Sequence, residues 1–336
     1  MTGWIQCDNC DAYSNNTVDA AGGRRICEDC VRCHQTCDDC LLLAVDTYRI
    51  ERGDRVCISC LEENYHECDN CFTLIPLDDN SCSDCDHPDH DGVHHYDYKP
   101  TARFYGDGPL FLGLELEIKT PRQRFTTAVD TSLDHLGRLG YLKEDSSIRP
   151  CGFELVTHPM SYQYARTRFP WPLLNRLRQL GCYTDAEVGI HVHLSRAGFG
   201  SPAHAFRWMK FVYRNQAAVT TLARRSSSWA EFTPKARSLS QDFAKGERAG
   251  AKRYQAINVL PEETFELRIF ASSLHPQQVQ AALAFAAASV EYTRHLSAVD
   301  IARRRGWEWN AFTTWLRAHL DYTVLLTELE ALACAS

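Results

Sequence analysis

Residues 111–120 read FLGLELEIKT, in which Glu115 and Glu117 flank a single apolar residue. Two later segments repeat the pattern: VGIHVHLS at 188–195 carries His191 and His193, and TFELRIF at 264–270 carries Glu266 and Arg268. Successive side chains of a strand point to opposite faces, so each ionisable pair shares one face. Leu114, Leu116, Ile118, Ile190, Val192, Leu194, Phe265, Leu267 and Ile269 occupy the other. A single such strand is the ordinary wet face of an antiparallel sheet. Three of them argue otherwise, because water-facing strands also use Lys, Thr and Gln. If they belong to one sheet, their carboxylates, imidazoles and guanidinium converge on a site for a divalent cation and phosphate.

Outward from these strands, KEDSSIRPCGFELVTHP at 143–159 predicts another strand, with Phe153, Leu155 and Thr157 alternating against Glu154 and Val156. Helices are expected at 122–139, at 161–180 with a break at Pro170 and Pro172, at 203–223, at 276–297 and at 308–332. Strands at 253–260 and 263–271 read as a hairpin. Residues 226–252, rich in Ser, Gly and charge, read as a mobile loop able to close over a ligand, with Arg248, Lys252 and Arg253 as phosphate contacts at its edge. Strands and helices without regular alternation predict an α+β domain, a largely antiparallel sheet backed by helices. Neither a glycine-rich dinucleotide turn nor a P-loop is present.

Composition divides the chain. Of its 16 cysteines, 13 lie between Cys7 and Cys85. Residues 1–98 hold 6 Lys and Arg against 21 Asp and Glu, a balance of −15, whereas the remainder holds 30 against 22, a balance of +8. The expected organisation is a small cysteine-rich domain at 1–98, a Pro- and Gly-punctuated linker at 99–109 and a larger domain at 110–336. The start MTGWIQCDNC has neither the basic nor the apolar part of a secretion signal, and Ala281–Val290 is too short to span a bilayer. A reducing cytoplasm is therefore expected, where paired cysteines hold metal more often than they form disulfides.

The pairs Cys7/Cys10 and Cys27/Cys30 enclose 16 residues, and Cys37/Cys40 with Cys57/Cys60 repeat that gap 30 positions later. Cys68/Cys71 and Cys82/Cys85 enclose 10. Each Cys-x-x-Cys presents two sulfurs from a tight knuckle, and two knuckles complete a tetrahedral site, so three structural Zn²⁺ are expected. The first two sets resemble LIM domains, in which sites follow one another; the pairing could instead be crossed, as in RING domains, and the equal loops favour the sequential scheme only modestly. Cys33, His34, His87, His90, His94 and His95 are left over and available as substitutes. With little apolar sequence between knuckles, this region should unfold without metal. Its acidity opposes binding to phosphate backbones, so nucleic acid is not an expected partner.

The larger part resembles the amidoligase family, relatives of glutamine synthetase and glutamate–cysteine ligase with the carboxylate-amine ligase fold. The resemblance covers about 110–295 and runs in family order: Glu115 and Glu117 as ExE, Asp145, Ser147 and Ile148 followed by Glu154, Gly189 with His191 and His193 as GxHxH, and Glu266 with Arg268 as ExR. It implies ATP-dependent joining of a carboxylate to an amine through an acyl phosphate, in a glutamine synthetase-like domain. By position Glu117 and Glu154 would hold one Mg²⁺, and Glu115, His191 and Glu266 a second. Arg268 would contact the transferring phosphoryl group, His193 would lie beside nucleotide or substrate, and Asp145 would be an acid of the substrate or metal side. Relatives commonly have Asp-Gly-Ser where this chain has Asp145, Ser146 and Ser147.

Cys151 and Cys182 lack any recognisable base and are read as packing residues. Two functions of different class remain: a ligase whose zinc part recruits a protein substrate or docks on the basic part, and an inactive zinc-module adaptor on a ligase-like scaffold.

Overall fold

The structure, a computed structural model, describes residues 3–69, 71–82 and 90–335. It contains two compact units, Met1–His87 and Pro88–Ser336.

The first unit repeats one local device three times. The carbonyl of the leading cysteine accepts the N–H four residues on: Cys7 from Asp11 and Cys37 from Leu41, both at 2.9 Å, and Cys68 from Phe72 at 3.0 Å. Asp11, Leu41 and Phe72 each sit in the left-handed region, with φ of 61°, 60° and 60°. The turn aims both sulfurs inward, and a backbone N–H from the second knuckle then meets the leading sulfur: Cys27 to Cys7 at 3.3 Å, Cys57 to Cys37 at 3.2 Å and Cys82 to Cys68 at 3.4 Å. Sulfurs of Cys7, Cys10, Cys27 and Cys30 gather within 4.8 Å, as do those of Cys37, Cys40, Cys57 and Cys60, and those of Cys68, Cys71 and Cys82. Neighbouring knuckles therefore pair in sequence order, not crossed. Cys85 and His87 lie outside the described residues.

Cys33 is exposed and stands outside both tetrads, while His34 Nδ1 bonds the Cys30 carbonyl at 2.7 Å. Among the described residues, only Ala20 and Ile26 are buried beside the cysteines of the first tetrad, only Ala44, Ile50 and Val56 beside those of the second, and only Ile75 beside those of the third set. So little aliphatic surface supplies little driving force, which places the burden of folding on whatever holds the sulfurs together.

In the second unit a seven-stranded sheet comprises β1 (Val93–His94), β2 (Leu112–Lys119), β3 (Gly140–Lys143), β4 (Gly152–Thr157), β5 (Gly189–Ser195), β6 (Ile257–Asn258) and β7 (Thr264–Ala271), in the order β1-β3-β4-β2-β5-β7-β6. All pairs are antiparallel except β1 with β3. The expected α+β class holds. The domain boundary differs: β1 belongs to this sheet, so the second unit takes in part of what reads as cysteine-rich domain in the sequence. Val93 and His94 align with Leu142 and Lys143, and β3, which ends at Lys143 where the KEDSS segment begins, carries that edge strand.

The apolar face carries Leu114, Leu116, Ile118, Ile190, Val192, Leu194, Phe265, Leu267 and Ile269, every one 2% exposed or less. Burying each such side chain contributes roughly 1.5–3 kcal/mol. Helices cover this face, centred on Pro276–Arg294, whose alanines 281, 282, 284, 286, 287 and 288 are buried and let neighbours approach closely. Burial on nearly all sides explains why that helix lacks a polar stripe. Among the described residues no helix is long and apolar enough to cross a membrane.

Residues 226–252 are not a free lid. Short helices Pro234–Ser238 and Ser240–Ala244 form within them, and Ala236, Ser240, Phe243 and Ala244 are buried, with Ser240–Ala244 packed on helix Pro202–Arg214. The few apolar residues of this polar segment are spaced to face one way, and that suffices to anchor it.

Candidate active site

The polar face of the sheet gathers the singled-out residues. Glu115 stands opposite His191 across β2 and β5, Glu117 opposite Glu154 across β2 and β4, and His193 opposite Glu266 across β5 and β7. A bulge between β5 and β7 sets two residues of β7 against one of β5 at the position of Arg268. Bulges of this kind re-aim a side chain, here a guanidinium toward the carboxylates.

His191 is the hub. Its Nδ1 lies 3.3 Å from Glu115 Oε2 and 3.7 Å from Glu266 Oε1, and its Nε2 lies 3.6 Å from Glu117 Oε1. His193 Nε2 approaches Glu115 Oε1 at 3.2 Å, off line for a hydrogen bond, while Nδ1 shares one with Thr264 Oγ1 at 2.9 Å. Donor atoms of Glu115, Glu154 and His191 form one group within 4.8 Å, and those of Glu115, His193 and Glu266 form another. Glu115 thus belongs to both groups, and His193 takes part as a donor beside it.

Glu117, Glu154, Glu266 and His191 are each 4% exposed. Burial pushes the Glu117 carboxyl up, and burial together with the Glu115 charge pushes Glu154 well above the usual range. Glu115 is only partly buried, and against the cost of that burial the adjacent His193 and His191 hold it well below that range. Burial disfavours the His193 imidazolium, but Glu115 outweighs it and carries the ring up to about 9. Three buried carboxylates beside the partly buried Glu115, answered by few cations, are costly unless further positive charge arrives. The donor set and its crowded negative charge fit a divalent cation.

Supporting groups fix these side chains. Gly189 N–H donates to Glu117 Oε2 at 2.6 Å, Asn258 Nδ2 to Glu266 Oε2 at 2.7 Å, Arg268 Nη1 pairs with Glu266 Oε1, and Lys143 Nζ lies 3.5 Å from Glu154 Oε2. Above the sheet opens a cavity of about 750 Å³ lined by Glu117, His191, Arg268, Asp145, Arg225 and Arg253, with Trp229 and Tyr254 also on its wall. Lys252 is not among its lining residues. Asp145 Oδ1 accepts from Ser147 N–H at 2.7 Å and from its hydroxyl at 2.6 Å, while Ile148 is fully buried beneath the turn. Ser146 is not among the residues with positive φ, so the turn does not require the glycine that relatives carry.

Sequence reading missed Arg225, Lys143 and Asn258. Lys143 and Asn258 each stand on a strand without a second ionisable partner at alternate spacing, and Arg225 follows helix Gln216–Ala223 with no periodic signal. Cys151 and Cys182 are buried, and burial pushes the Cys151 thiol up to about 11, in keeping with a packing role.

No family model and no curated protein matches the chain. Among solved structures that resemble it is one described as "Apo GmaS without ligand", at 15% identity and a TM-score of 0.33, the match covering 67% of this chain and 66% of that one. The chain thus spans just under two thirds of that neighbour's length. A likeness at this level says nothing about the chemistry of this chain.

Proposed function

We propose that the second unit is an ATP-dependent ligase joining a carboxylate to an amine. One observation carries the reading: Glu115, Glu117, Glu154, His191, His193, Glu266 and Arg268, drawn from four strands, share one face of one sheet beneath a cavity of about 750 Å³. Glu115 with Glu154 and His191, and Glu115 with His193 and Glu266, would hold Mg²⁺. Bound there, such ions neutralise a triphosphate and the charge that develops on phosphoryl transfer.

The chain's own residues bind and orient. Arg225, Arg253 and Arg268 give the cavity wall the positive charge a polyphosphate requires, and Trp229 and Tyr254, both nearly half exposed, offer an aromatic rim on which a purine stacks. A substrate carboxylate oxygen bonds to the γ-phosphorus as ADP leaves. The amine then bonds to the acyl carbon as phosphate leaves, and Asp145, on the cavity wall, accepts the proton the amine gives up. The first unit, held by three Zn²⁺, would recruit a protein carrying the amine or the acid, its charge of −12 favouring a basic partner.

An adaptor without turnover is the competing reading, favoured by the exposure of Leu41 and Phe72, each 74%, at strained knuckle turns of the first unit. The test is mass spectrometry of candidate acids and amines incubated with Mg-ATP and the full chain. The ligase yields an adduct lighter by one water than its components, lost in Glu266→Ala and Arg268→Ala variants that still melt cooperatively. Absence of any Mg²⁺ or nucleotide binding would overturn the ligase reading and favour the adaptor.

A further inference from the structure

Arg268, the guanidinium singled out by its place in the sequence, is already engaged. Its Nη1 pairs with Glu266 Oε1 and its Nε donates to the Trp229 carbonyl at 3.3 Å. Arg225 is different. Its Nη1 and Nη2 reach only the carbonyls of Phe270 at 3.5 Å and Glu187 at 3.3 Å, and its buried Nε has no partner. Among the described residues no carboxylate lies within ion-pair distance of it.

Arg225 nonetheless lies where an anion can reach it. It lines the main cavity together with Glu117, His191 and Arg268, and it also lines a second cavity of about 500 Å³, which shares Ser226, Ser227 and Ser228 with the first. Gly189 leaves the space for it: a Cβ there would overlap the Arg225 guanidinium. A guanidinium keeps its charge under all ordinary conditions, and its planar fork matches a phosphate or carboxylate. A half-buried Arg with an orphaned N–H and only long contacts to carbonyls has that fork unused.

We propose that Arg225 is the principal protein contact for the polyphosphate of the nucleotide, and that Arg268 serves chiefly to hold Glu266. This rests on the ligase reading above. The choice between the two arginines follows from their partners, because Arg268 reaches a phosphate only by giving up its buried, charge-assisted pair with Glu266, whereas recruiting Arg225 sacrifices only weak carbonyl contacts.

The test is calorimetric titration of the full chain with Mg-AMPPNP, Mg-ADP and AMP. Arg225→Ala should weaken AMPPNP and ADP by about 30-fold or more and AMP by much less, with Arg225→Lys recovering part of the loss. Arg225→Gln, which keeps reach toward the carbonyls, serves if the alanine variant does not fold. Arg225 variants that bind AMPPNP like the wild type overturn the proposal while leaving the ligase reading intact. So does unchanged nucleotide affinity with weakened binding of a small dicarboxylate probe such as glutarate, which would assign the fork to the acid substrate. A wild-type chain that binds none of the nucleotides overturns both.

Discussion

Gly189 donates its backbone N–H to Glu117 Oε2 at 2.6 Å, and the space where its side chain would begin is filled by the Arg225 guanidinium. One residue without a side chain thus positions a carboxylate and makes room for a cation. A Cβ would also meet the Phe270 carbonyl oxygen at 3.3 Å. Gly189→Ala should therefore destabilise by about 1–3 kcal/mol and weaken Mg-ADP binding beyond what the loss of stability explains. Urea unfolding and calorimetric titration of one preparation check both, and unchanged affinity would contradict the arrangement.

The three knuckle pairs lead to a metal count. Elemental analysis of purified protein should find three zinc ions per chain, and Cys7→Ser or Cys37→Ser should each remove about one. Structural zinc sites contribute roughly 10–16 kcal/mol in apparent terms. Chelation should accordingly collapse the NMR dispersion of residues in the first unit. Retention of that dispersion in metal-free protein would show that the aliphatic residues alone suffice.

Phe243 decides whether residues 226–252 are anchored or loose. It is 1% exposed and its helix packs on helix Pro202–Arg214. Phe243→Ala should cost about 3–5 kcal/mol in chemical denaturation, where a mobile loop would register almost nothing.

His204 supplies a pH dependence. Gly200 N–H donates to its Nδ1 at 3.2 Å, so the neutral ring carries its proton on Nε2, which donates to the Val290 carbonyl at 2.9 Å. Burial, aided by Arg294 and Arg207, pushes its pKa from 6.5 down to about 4. The unfolded chain therefore takes up the proton first as pH falls, and the contribution of this histidine, complete above about 6.5, is lost between there and about 4. The stability gap between wild type and His204→Gln should narrow steadily from pH 7 to pH 4 in urea melts. A constant gap would mean that the ring does not stay neutral in the fold.

Much of the site was legible before any coordinates. Alternation of Glu115, Leu116 and Glu117, or of His191, Val192 and His193, is a local property, and the strands with their burial pattern followed from it. The knuckle spacing was likewise local, and the sulfurs of each described set lie together. Less legible were the short segments. Val93–His94 is two residues long and Gly140–Lys143 four, too brief for periodicity to announce them. The anchoring of Phe243 escaped notice because polar neighbours dilute its signal in composition.

Sequence alone determined which side chains share a face of each strand and which cysteines sit in each knuckle, because both depend on backbone geometry over a few residues. Only the tertiary structure decided that Glu115 faces His191, that Glu154 faces Glu117, that knuckles pair in order, and that Arg225 reaches the cavity through the space at Gly189. Strand order, register and close approach are set by packing between segments far apart in the chain, where no local pattern distinguishes one partner from another.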